Sequence, residues 1–160
     1  MPGGHAATFE ELRPEVLERL LDVRGSIDQA FSGIPAQVIR QEFDSVLERM
    51  QSYLDDRNTE RTRSFATRWV AFRLGEGFSP ENLIHSVVAL GDVVVDVARK
   101  RLPSGPDTAE FVREVVRMNF IAARLIVESL AAELASMNRA AASKTTKGAS
   151  SSPRGDRRRR

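Results

Sequence analysis

The chain has 160 residues, 41% of them hydrophobic and 29% charged, which is enough for one domain with its own core and too apolar for a wholly disordered protein. It contains no cysteine, which excludes disulfides, zinc–thiolate sites and cysteine catalysis and fits a reducing compartment. The net charge of +2 is unevenly spread: residues 141–160 hold seven basic side chains against Asp156, a net of +6, leaving 17 basic and 21 acidic over 1–140, a net of −4.

Residues 1–7 have the composition of a disordered lead. Glu10, Glu11, Arg13 and Glu15 interrupt any signal-peptide pattern, and no apolar run approaches the length of a membrane span, so a cytoplasmic protein is expected. Thr8 and Glu11 have capping-box spacing for a first turn. Pro14 suits a fresh helix start, from which Leu17, Leu20, Leu21, Ile27 and Phe31 share one face up to Ser32-Gly33. Gly25 weakens that helix. Pro35 opens a second helix, with Val38, Ile39, Phe43, Val46, Leu47, Met50, Tyr53 and Leu54 as its apolar stripe. Asn58 or Thr59 caps a third, carrying Phe65, Ala66, Trp69, Val70 and Phe72 and ending at Gly75 and Gly77.

Ser79-Pro80 is a helix-start signal, and the segment to Leu102 recurs at helical spacing through Leu83, Ile84, Val87, Val88, Leu90, Gly91, Val94, Val95 and Ala98. So broad a band predicts a central helix. After the turn at 103–106, Asp107 or Thr108 caps a last helix running to about Ala140. Some 30 residues span roughly 45 Å, more than a small domain is wide. Its stripe of Phe111, Val115, Met118, Ala122, Leu125, Leu134 and Met137 is therefore expected to form the face of a homodimer. Residues 8–140 read as one helical regulatory domain and 141–160 as a disordered basic tail. Lys144, Lys147, Arg154, Arg157, Arg158, Arg159 and Arg160 give the tail the charge for weak, salt-sensitive contact with nucleic acid or an acidic surface.

Residues 36–102 resemble the N-terminal domain of the RsbR/RsbRD group of bacterial stress-signalling regulators. The resemblance rests on the polar end of a helix (Val46 to Asp55-Asp56), on Ala66, Arg68 and Arg73 in the next, and on the junction Gly77-Phe78-Ser79-Pro80-Glu81-Asn82-Leu83 before an apolar helix. It implies an all-α, globin-like or related helical bundle of about five helices that binds no haem, dimerises and feeds a signalling output. Such regulators usually continue into a sulfate-transporter/anti-sigma-antagonist module; a basic tail stands there instead, so output is expected through a partner protein of unknown identity.

No residue pattern demands catalysis, and neither a cofactor nor a metal is expected. His85 lacks the residues that follow the histidine of a phosphotransfer motif and reads as structural. Asp92 and Asp96 share a helix face and are expected to meet Arg68, Arg73 or Arg117 rather than a metal. Trp69, Phe65, Phe72 and Phe78 read as core before ligand pocket, and Arg57, Arg61, Arg63, Arg68 and Arg73 as a solvated face. The leading expectation is a non-enzymatic sensor or adaptor acting through protein contacts. The alternatives are an accessory nucleic-acid-binding protein using the tail and, third, a His85-dependent phosphotransfer protein.

Overall fold

A computed structural model describes residues 3–27 and 29–149. Its order is α1 (Gly3–Ile27), a 3-10 turn (Gln29–Gly33), α2 (Ala36–Asp56), α3 (Thr59–Gly75), α4 (Pro80–Arg101) and α5 (Pro106–Ala149), with no strand among the described residues. This is the all-α five-helix bundle that the hydrophobic periodicity predicts.

The first helix differs from expectation. It starts at Gly3 and runs unbroken through Pro14 to Ile27. Phe9 and Leu12 before the proline and Val16, Leu17, Leu20 and Leu21 after it are all buried, so packing on both sides outweighs the missing N–H. His5 packs 6.1 Å from the Phe111 ring, which ties down a lead expected to be unstructured. Phe31 lies beyond the helix, buried in the 3-10 turn.

The short connections follow from capping chemistry. Arg57 closes α2 in the left-handed region (φ 53°), donating its N–H to the Tyr53 carbonyl at 2.9 Å. Asn58 caps α3 by accepting from the Arg61 N–H at 3.0 Å. Gly77 (φ 88°) completes a Schellman motif: the Phe78 N–H reaches the Arg73 carbonyl at 3.0 Å and the Gly77 N–H the Leu74 carbonyl at 3.1 Å. Ser79 then caps α4 through the Asn82 N–H at 3.1 Å, with Pro80 in the first turn.

Helix α4 is central, packed chiefly on α5 and α1 through Leu83, Val87, Gly91, Val94, Val97 and Ala98. It keeps one wet side: His85, Val88 and Asp92 are exposed, so the buried band is narrower than its apolar composition suggests. Gly91 is the close approach to α5. A Cβ there would stand 2.3 Å from Nδ2 of Asn119, so the glycine makes room for that amide. Helices α2 and α3 meet only sparsely although two residues join them. Helix α5 begins at Pro106 and continues nine residues past the expected end. Its last buried residue among the described side chains is Leu130, and Leu134 and Met137 beyond it are exposed. Residues 150–160 lie outside the described residues, and with them Arg154 and Arg157 to Arg160.

Candidate functional site

Three features could carry function: a buried ion-pair network, a central cavity, and the outward face of α5. The network is built around Arg73, only 1% exposed. Its Nε donates to Oε1 of Glu42 at 2.9 Å, its Nη2 pairs with the other Glu42 oxygen, and its Nη1 lies 2.5 Å from Glu76. Trp69 Nε1 donates to the same Glu42 oxygen at 3.0 Å. The guanidinium sits 4.8 Å from the Phe78 ring centroid, 5.4 Å from Phe72 and 5.6 Å from Phe31. Burial pushes its pKa down while Glu76 pulls it back up. Arg73 is therefore no part of a solvated face: it clamps α2, α3 and the α3–α4 corner together. A helical cation at regular spacing reads as surface; the clue was its place beside Phe72 and Phe78 at a helix end.

The cavity, about 90 Å³, lies between all five helices. Leu20, Phe43, Val46, Phe65, Val87 and Ile126 make most of its wall apolar. Trp69 also lines it; Phe72 does not, being exposed on α3. Arg49 stands at its edge, its guanidinium 5.9 Å from the Phe65 ring centroid. His85 is exposed and lines no part of it, which separates that histidine from any ligand held there.

On α5, the residues expected at a dimer face divide. Phe111, Val115, Met118 and Leu125 are buried in the chain's own core, so these four are not available to a partner, and Ala122, half-buried, lines the cavity. Leu134 and Met137 are exposed. A second stripe that sequence reasoning missed runs along the outside: Val116, Phe120 and Val127, with Phe120 73% exposed. The spacing of 116, 120, 123, 127 and 134 repeats the helical period, so the signal was present beside the stronger inner stripe.

The carboxylates likewise find other partners than expected. Asp96 takes Lys100 of its own helix at 2.7 Å, while Asp92 is exposed. Arg117 pairs with Glu114, and Arg57 and Arg63 bind Glu114 and Glu128, holding both carboxyls below their usual range chiefly by hydrogen bonding. Among the described residues no cluster of three or more His, Asp or Glu side chains could hold a metal, and no helix is long and apolar enough to cross a membrane. Lys144 and Lys147 fall on the last turns of α5, where side chains are not described.

The described residues form an all-α bundle with an apolar cavity at its centre and a row of exposed apolar residues along α5. The family model of the RsbT co-antagonist protein rsbRD N-terminal domain matches residues 10–144, and the chain belongs to that family. Membership covers nearly the whole described bundle and makes it a domain of the bacterial stress-signalling regulatory type. No curated protein and no solved structure matches the chain closely enough to add to this.

Proposed function

We propose that the chain is a non-enzymatic regulatory module of the bacterial cytoplasm, a homodimer that passes its state to a partner protein through the outer face of α5. One observation carries this reading: Val116, Phe120, Val127, Leu134 and Met137 line one long helix and are all exposed, with Phe120 the most open. Leu134 and Met137 lie past Leu130, the last buried residue among the described side chains of α5, and an exposed apolar side there is unfavourable in water unless it is covered. A two-fold partner covers it most simply. Sedimentation of the full chain at micromolar concentration is expected to give a dimer mass. Phe120→Asp is expected to give a folded monomer, because the side chain contributes nothing to the chain's own core. A monomer mass for the parent protein removes the homodimer and leaves the stripe to a different protein.

The charge asymmetry supports a second, weaker reading. From Leu134 to Arg160 the only acidic residue is Asp156, so polyanion contact at the C-terminal end is favoured electrostatically. Salt-sensitive retention on heparin, lost on serine substitution of Arg157, Arg158, Arg159 and Arg160, tests it; unchanged retention rejects it.

A further inference from the structure

The cations around α3 are nearly all paired. Arg57 has Glu114, Arg61 has Asp56, Arg63 has Glu128 and Arg73 has Glu42. Arg49 is the exception that matters. Its Nε is buried and, among the described residues, has no hydrogen-bond partner, and no described carboxylate forms an ion pair with its guanidinium. Inward, Arg49 borders the apolar cavity; outward, it borders a polar groove with Ser52, Asn58, Glu60, Arg61, Ser64 and Arg68, in which Glu60 pairs with Arg63. Arg68, in that groove, also lacks an ion-pair partner among the described residues. A cation partly withdrawn from water, without an anion and standing between an apolar void and a basic groove, is costly unless something negative completes it.

We infer that the central cavity binds a short-chain carboxylate, with its hydrocarbon tail in the void and its carboxylate on Arg49 at the mouth between α2 and α3. Size sets the tail. At about 90 Å³ the void exceeds the space of a single water and falls short of the roughly 150 Å³ that admits benzene, which corresponds to about four carbons. Charge sets the head. A guanidinium matches a carboxylate through parallel N–H donors, whereas a neutral head would leave Arg49 unpaired. A dianionic phosphate would also face Glu42 in the cavity wall and Glu60 in the outer groove, which favours a single negative charge. The sparse packing between α2 and α3 supplies the entry. The inference does not depend on what α5 contacts, because the mouth lies between two other helices.

The single tryptophan of the chain, Trp69, lines the cavity and serves as the reporter. The full-length protein is titrated with acetate, butyrate, hexanoate and octanoate at matched ionic strength, following Trp69 fluorescence, with 1-butanol as the neutral control. Affinity is expected to rise about fourfold for each added carbon up to butyrate and to stop rising beyond hexanoate, when the void is full. Butyrate is expected to bind at least tenfold tighter than 1-butanol, and Arg49→Gln to abolish that difference while leaving butanol unchanged. Equal binding of butyrate and butanol by the parent protein overturns the pairing with Arg49, whatever the variant does. Affinity that does not rise from acetate to butyrate overturns the tail in the cavity. No fluorescence or melting response to any of the acids overturns the site altogether.

Discussion

Replacing Glu42 by Gln tests the network that locks the corner between α3 and α4. The substitution keeps the shape and leaves an amide oxygen for Trp69 Nε1, but removes the charge facing Arg73 Nε and Nη2. Arg73 is then left 1% exposed with Glu76 as its only carboxylate among the described residues, and that side chain is 41% exposed. Breaking a buried pair from one side costs about 3–5 kcal/mol. The retained Glu76 and the three flanking rings place this site near the lower end, at about 3 kcal/mol. Against a domain stability of about 5–15 kcal/mol that is a large fraction. It corresponds to a drop of roughly 6–12 °C in melting temperature for a chain of this length. Urea unfolding followed by circular dichroism measures it, with Trp69 fluorescence reporting the corner itself. The double variant Glu42→Leu/Arg73→Met is expected to recover most of the loss, because the desolvated charge goes with its partner. A loss below about 1 kcal/mol for Glu42→Gln, or no recovery in the double variant, refutes the clamp.

Acid should weaken the fold in a defined window. Glu114, Glu128 and Asp96 are held below their ordinary values by hydrogen bonds from Arg57, Arg63 and Lys100. Their folded pKa values lie below the unfolded ones, so their contribution is fully present above about pH 5 and is lost as pH falls through the folded values. Melts from about pH 7 to about pH 3 should be flat at first and then decline, and Glu114→Gln should flatten the decline; a curve rising toward acid contradicts the assignment. At the α4–α5 crossing, Gly91→Ala pushes a Cβ into Asn119 and is expected to cost about 1–3 kcal/mol, with Asn119→Ala restoring most of it in the double variant. Additive losses in that pair of thermal melts would show that the two residues do not touch.

The helices were legible because each is marked twice, by periodicity and by a terminator. Asn58, Gly77, Ser79 and Pro80 all act where their local chemistry says they should. Pro14 misled because its local penalty is visible in sequence while the packing of Phe9 and Val16 on either side of it is not. Arg73 misled for the converse reason: a burial offset by Glu42, thirty-one residues away, leaves no local trace. The outer stripe of α5 was readable but overshadowed, since Phe111, Val115, Met118 and Leu125 form a stronger pattern and only the fold decides which face turns inward. The cavity left a partial trace, since Phe65 and Trp69, read as core before ligand pocket, both line it, while the void between the helices has no local signal.

Helix α5 carries two surfaces with opposite assignments, and Ala122 separates them. It lines the cavity, together with Met118, Asn119 and Ile126 of the same helix, whereas Phe120 points to solvent. Ala122→Leu adds three carbons directed at a void of about 90 Å³. At about 0.8 kcal/mol per buried methylene the gain is at most about 2.4 kcal/mol, and strain against Asn119 and Val87 lowers it to about 1 kcal/mol. The variant is therefore expected to melt a few degrees higher, to lose its fluorescence response to butyrate, and to sediment as the parent protein does. Had Ala122 belonged to a subunit interface, the same change would alter the sedimented mass and leave the butyrate response intact. A shift in mass without a shift in melting temperature would thus reverse the orientation of the helix and return its inner stripe to the interface, whereas the expected result leaves assembly to the outer stripe alone.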